Sequence, residues 1–143
     1  MRAALKEAEK AEKINETPIG AVIVKDGKII ARGYNKRETK KNALMHAEII
    51  AIDKACKKLG GWRLIGCDIY VTLEPCPMCM GAIISSRLQN VYYGASDAKS
   101  GACGSVCDLS KLLPHKPVCT GGILAQESEK LIKRFFINLR RKG

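Results

Sequence analysis

Charge crowds the first stretch of the chain, yet Ala4, Leu5, Ala8, Ala11 and Ile14 recur within it at helical spacing. Residues 2–14 are therefore expected to form an amphipathic helix, closed by Pro18 and free to begin before Met1. Short apolar runs at 20–24 and 28–31 flank Asp26-Gly27, the pattern of a hairpin with a two-residue turn, and both strands are expected to be buried on both faces. Helical spacing returns over residues 46–58 at Ala47, Ile50, Ala51, Lys54 and Ala55, until Gly60-Gly61 stops it. A strand over 68–73, a helix over 78–86 and a strand at Val91-Tyr92-Tyr93 ended by Gly94 follow. Residues 96–104 read as loop and 106–112 as a short helix. Pro114 and Pro117 flank a connection that leads to a last helix over 124–139. Alternating helices and strands predict an α/β fold, a sheet covered by helices.

A chain of 143 residues suits a single domain spanning 1–143. No apolar run approaches the ~18 residues that a membrane span needs. The charged start carries no apolar segment of a secretory signal, so the expected compartment is the cytoplasm. Seven cysteines, two of them in a CxxC, favour metal or redox chemistry over a disulfide framework. The net charge of +11 and pI near 9.5 give a positive surface field that draws polyanions, nucleic acid foremost.

His46-Ala47-Glu48 opens one predicted helix, and Pro75-Cys76-Pro77-Met78-Cys79 opens another directly after a predicted strand. Two thiolates and one imidazole suit tetrahedral Zn²⁺, and three protein ligands leave a fourth position for water, as a catalytic zinc requires. Zinc lowers the pKa of such a water toward ~7, and helix N-termini favour both thiolates and hydroxide. Glu48, two residues beyond His46, is better placed as a neighbour than as a ligand. It can take the water's proton, deliver it to a ring nitrogen and help to protonate departing ammonia, which is hydrolytic deamination.

Each of these residues also has a plainer reading. A His at a helix start is commonly a cap, and a Glu in a first turn complements the helix dipole. The CxxC could be a thioredoxin-like redox pair, although that leaves His46 and Glu48 unexplained. A structural zinc would need a fourth ligand, for which Cys67, Cys103, Cys107, Cys119 and His115 are the candidates.

Together, HAE and PCxxC resemble the signature of the cytidine-deaminase-like superfamily of zinc base deaminases. Pro18-Ile19-Gly20-Ala21, Gly33-Tyr34-Asn35, Trp62-Arg63-Leu64, Tyr70-Val71-Thr72-Leu73-Glu74-Pro75-Cys76 and the run from Tyr93 to Ala102 narrow the resemblance to bacterial tRNA-specific adenosine deaminases, over almost the whole chain. The resemblance implies a three-layer α/β/α sandwich on a mixed five-stranded sheet. It also implies a homodimer that converts adenosine to inosine at the wobble position of a tRNA anticodon stem-loop. One Zn²⁺ per subunit would be held by His46, Cys76 and Cys79, with Glu48 as proton shuttle. By the same resemblance Asn35 hydrogen-bonds the flipped base, the Ala47 backbone N–H orients it, and Asp97 and Lys99 meet the neighbouring nucleotides. In plainer terms Asn35 ends a strand as a turn residue and Asp97 caps a turn. The alternative within the superfamily is a deaminase of a free base or nucleoside, such as cytosine or guanine.

Two departures from the family pattern stand out. Ala43-Leu44-Met45 replaces the usual Pro-Thr-Ala, so the pocket wall is expected to differ. Pro114 replaces the usual Asn, which leaves His115 without an assigned role. Residues 80–84 and the first helix offer apolar faces for a dimer.

Binding a base inside an RNA loop needs phosphate contacts beside the flipped nucleotide. Lys36, Arg37, Lys40 and Lys41 cluster directly after Asn35, and Lys130, Lys133, Arg134, Arg140, Arg141 and Lys142 cluster near the C-terminus. A solvated charged face is the commoner meaning of such a run, but the first cluster is tied by sequence to the metal helix. Its contacts would grip phosphates without reading sequence and would weaken steeply with salt.

Overall fold

The computed structural model describes residues 1–142. Along the chain run α1 (Arg2–Lys13), β1 (Gly20–Lys25), β2 (Lys28–Tyr34), α2 (Ala47–Leu59), β3 (Cys67–Leu73), α3 (Pro77–Ser85), β4 (Asn90–Ala95), β5 (Val118–Thr120) and α4 (Ala125–Lys142). The strands form one mixed sheet in the order β2-β1-β3-β4-β5. β1 is antiparallel to β2 and β3, whereas β3, β4 and β5 are mutually parallel. Helices α2 and α3 pack together on one face and α1 with α4 on the other, giving the three-layer sandwich.

Local chemistry explains most of the boundaries. Asp26 and Gly27, at φ 51° and 75°, make the two-residue turn whose twist suits a hairpin. Gly33 lets α2 close on β2, because a Cβ there would stand 2.5 Å from the Ala47 carbonyl oxygen and 2.8 Å from the Ala51 nitrogen. β3, the central strand, buries Cys67, Ile69, Val71 and Thr72, and Thr72 Oγ1 accepts the Gly20 N–H at 3.1 Å. Ile23, Ile69, Val91, Met80, Ile83 and Leu88 fill the space between the sheet and the α2–α3 layer.

Several expectations fail for identifiable reasons. Pro18 does not end α1: Asn15 already turns the chain at φ 61°, which leaves Ile14 exposed beyond the last helical turn. β2 is not buried on both faces, since it is an edge strand and alternates buried with exposed positions. Gly94 does not end β4 but lies within it, where a Cβ would strike Ser128 Oγ and the Thr72 carbonyl oxygen. Residues 106–112 form no helix, because their backbone is used elsewhere. Val106 N–H donates to the Gly101 carbonyl at 2.9 Å, Leu109 N–H to that of Ala102 at 3.0 Å, and Cys103 bridges Asp108. The expected dimer faces are taken only in part, since Gly81 and Ala82 stay half-buried with open space beside Gly81. Met80 and Ile83 are fully buried in the chain's own core, as are Ala4, Ala8 and Ala11 of α1.

Candidate active site and metal centre

Parallel strands β3 and β4 end on the same edge of the sheet, at Leu73 and Ala95, the side on which such sheets place their ligands. The chain leaves β3 through Glu74-Pro75 and enters α3 with Cys76 at the N-cap and Pro77 in the first turn, where a missing N–H leaves no bond unmade. α2 starts in the same way, with extended His46 at its N-cap. These two helix starts bring ligand atoms of His46, Cys76 and Cys79 within 4.8 Å of one another. His46 Nδ1 lies 3.7 Å from Cys76 Sγ and 3.5 Å from Cys79 Sγ.

That spacing tests the donor set. Tetrahedral Zn–N and Zn–S bonds of ordinary length place nitrogen and sulfur about 3.6 Å apart. The group therefore fits a metal ion of that size and softness. None of Cys67, Cys103, Cys107, Cys119 or His115 joins it among the described residues, so no fourth protein donor completes the set. The hydrogen bond from Cys79, opposed by burial and reinforced by His46, holds the Cys76 thiol down to about 4. The same bond together with burial keeps Cys79 protonated well above the usual thiol range. One thiolate thus stands ready at neutral pH, and a binding metal would release the second proton.

Glu48 lies in the first turn of α2 outside the donor group and is 4% exposed. Burial pushes its carboxyl up to about 7, against the lowering effects of a backbone N–H, His46 and Cys79. A carboxyl that titrates near neutrality can both take and give a proton.

A cavity of about 610 Å³ opens over this edge. His46, Ala47, Glu48 and Cys76 line it, as do Asn35, Arg37, Asp97 and Lys99 from two loops and Phe136 from α4. Cys79 is fully buried and does not line it. The plainer readings of two loop residues hold alongside these positions. Asn35 Nδ2 donates to the Thr17 carbonyl at 3.3 Å while its Oδ1 accepts the Arg37 N–H at 3.2 Å. Asp97 Oδ1 accepts the N–H groups of Lys99 and Ser100 at 3.0 and 3.2 Å. Ala43, Leu44 and Met45 are not among the residues that line the cavity, and Leu44 is exposed. His115 also lies elsewhere, its Nε2 2.7 Å from the Leu88 carbonyl oxygen.

Of the basic clusters, Arg37 and Lys133 reach the cavity, while Arg134 is committed to Glu12 of α1 through Nε at 2.9 Å. Lys36 Nζ sits 4.7 Å above the Tyr34 ring. Sequence reasoning gave no role to Glu16 or Glu74, which are buried beneath the two loops. Glu74 belongs to the Tyr70–Cys76 motif, but neither residue carries a signal that separates it from a surface glutamate.

Comparison with known proteins places this geometry. The MafB19-like deaminase family model matches residues 1–140. The chain belongs to this deaminase family. It is 48% identical to the tRNA-specific adenosine deaminase of Bacillus subtilis (strain 168), over 99% of this chain and 89% of that one. The tRNA-specific adenosine deaminase of Rickettsia bellii (strain RML369-C) is 51% identical, over 98% and 99%. A structure solved in work on A-to-I editing by tRNA:A34 deaminases at the wobble position superposes with a TM-score of 0.85. It shares 42% identity over 92% of this deaminase and 96% of that chain. Among the described residues, no helix of the deaminase is long and apolar enough to cross a membrane.

Proposed function

We propose that this deaminase hydrolyses adenosine to inosine at the wobble position of a tRNA anticodon stem-loop, in the cytoplasm and as a homodimer. The observation that carries the reading is one cavity lined by His46 and Cys76 of the metal group, the buried carboxyl of Glu48, and Arg37 from a loop that also carries Lys36, Lys40 and Lys41. The names of the relatives at 48% and 51% identity support the substrate. His46, Cys76 and Cys79 would hold one Zn²⁺. When bound, the ion supplies a Lewis acid that makes water nucleophilic at neutral pH.

The chain's own groups do the rest. Glu48 accepts a proton from the attacking water and passes it to the ring nitrogen, then takes the remaining proton of the added hydroxyl and gives it to the departing amine as the C–N bond breaks, so that adenosine and water give inosine and ammonia. Its burial keeps bulk water from competing for that proton. Asn35 and the Ala47 N–H orient the flipped base from the cavity wall, while Asp97 and Lys99 meet the adjoining nucleotides. Arg37, with Lys36, Lys40 and Lys41 on the same loop, attracts the phosphates.

The zinc-loaded protein incubated with an anticodon stem-loop that carries adenosine at the wobble position should yield inosine on sequencing. Free adenosine, guanine and cytosine should remain unconverted. Turnover of a free base with the RNA untouched overturns the substrate assignment in favour of a small-molecule deaminase.

A further inference from the structure

We infer that Glu74 is a positioning residue that sets the 96–105 loop in register with the metal turn. Glu74 immediately precedes Pro75-Cys76, is 2% exposed, and has no lysine or arginine partner among the described residues. Its compensation comes instead from the loop. Oε1 accepts the Asp97 N–H at 3.1 Å and the Ser105 hydroxyl, while Oε2 accepts the N–H groups of Cys103 and Ser105 at 2.9 and 3.1 Å. Four donors occupy the acceptor capacity of one carboxylate. The loop wraps so closely that a Cβ on Gly101 would overlap the carboxyl group.

Two backbone bonds complete the clamp. Glu74 N–H donates to the Ala95 carbonyl at 2.9 Å, and Ala102 N–H to that of Pro75 at 2.8 Å. Asp97, Lys99 and Ser100, between the clamped points, line the cavity, and the Asp97 carboxylate holds the amides of the other two. The position of this wall is thus fixed to the residue two before Cys76, while Ala102 anchors the far side of the loop in the core. An apolar residue at 74 could fill the volume, but it would leave three backbone N–H groups without acceptors.

The inference rests on the reading that this loop meets nucleotides beside the target base. Its test uses Glu74→Gln and the milder Ser105→Ala in the zinc-loaded full chain. Three quantities are measured: zinc content, amide exchange at Asp97, Cys103 and Ser105, and kcat and KM on the anticodon stem-loop. An amide side chain presents one acceptor oxygen and turns donors toward donors. Glu74→Gln should therefore speed exchange at these amides about tenfold or more. It should raise KM about tenfold, leave kcat within about threefold and keep one zinc per chain. Ser105→Ala, which removes a single donor, should move exchange and KM the same way by about threefold. Loss of zinc in Glu74→Gln, or wild-type KM with unchanged exchange in both variants, overturns the inference. A wild-type chain that leaves the RNA untouched overturns the function reading alone, because exchange reports the clamp without substrate. Accelerated exchange then still supports the clamp, and unchanged exchange overturns it.

Discussion

His46, Glu48, Cys76 and Cys79 stand on the first turns of two helices whose following turns are core, whereas Asn35, Arg37, Asp97 and Lys99 stand on loops tied to buried carboxylates. In the first half of the pocket, packing does the positioning. Ala47, Ala51, Met80 and Ile83 are fully buried, so the helix starts cannot shift without opening the core. In the second half a few charge-assisted hydrogen bonds do it. Glu16 accepts the N–H groups of Glu38 and Thr39 at 3.1 and 2.6 Å, and Glu74 plays the same part for the other loop. The contrast implies a division of labour: damage to the first half removes chemistry, and damage to the second loosens the grip on substrate.

The sharpest way to break that division is to remove a donor. Cys76→Ala should lose the metal and all measurable inosine formation, since two remaining donors hold zinc poorly. Metal analysis of the purified variant decides it, and an unchanged zinc content would refute the ligand assignment. Glu48→Ala should keep its zinc while kcat falls by about 10²- to 10⁴-fold, the usual worth of a positioned acid–base group. Activity retained in that variant would overturn its role and leave the metal half as a binding site only. The loop half should respond differently. Replacing Arg37 and Lys40 together by alanine should leave kcat at saturating RNA within about twofold. The slope of log affinity against log salt should become shallower by about 1.4, at ~0.7 per lost contact to a single strand. An unchanged slope would remove this loop from the RNA surface.

The same contrast governs what could be read from the chain alone. Residue types that can hold zinc are few, and at the starts of two predicted helices they point to chemistry from the sequence alone. β1, β3 and α2 were likewise legible, because their apolar periods survive tertiary packing. β5 was not visible in the pattern, since three residues between Pro117 and Gly121, mostly exposed, carry no period. Residues 106–112 have helix-compatible side chains, but partners at Gly101 and Ala102 take up their backbone. Asn35 and Asp97 came only from family resemblance. Glu16 and Glu74 came from nothing, because a glutamate reads as solvent-facing until the donors that satisfy it are brought from distant sequence.

Glu16 offers the smallest and most specific test of how the loop half is held. Burial pushes its carboxyl up, but the hydrogen bonds from Thr39 and Glu38 and the charge of Arg37 outweigh that and hold it below the usual carboxylate range. A carboxyl held low in the fold and released on unfolding binds more protons when unfolded. Its stabilising contribution is therefore complete above the unfolded value of ~4.3 and drains away as pH falls through the folded value. Glu16→Gln should destabilise the protein at pH 7 by about 1.5 to 3 kcal/mol, the range for hydrogen bonds to a charged group. Denaturant melts of both proteins should show the gap narrowing below about pH 4.3 as the wild type loses what the variant lacks. A gap that stays constant across that range would mean that Glu16 acts by shape rather than charge, and that this loop, like the metal half, is positioned by packing.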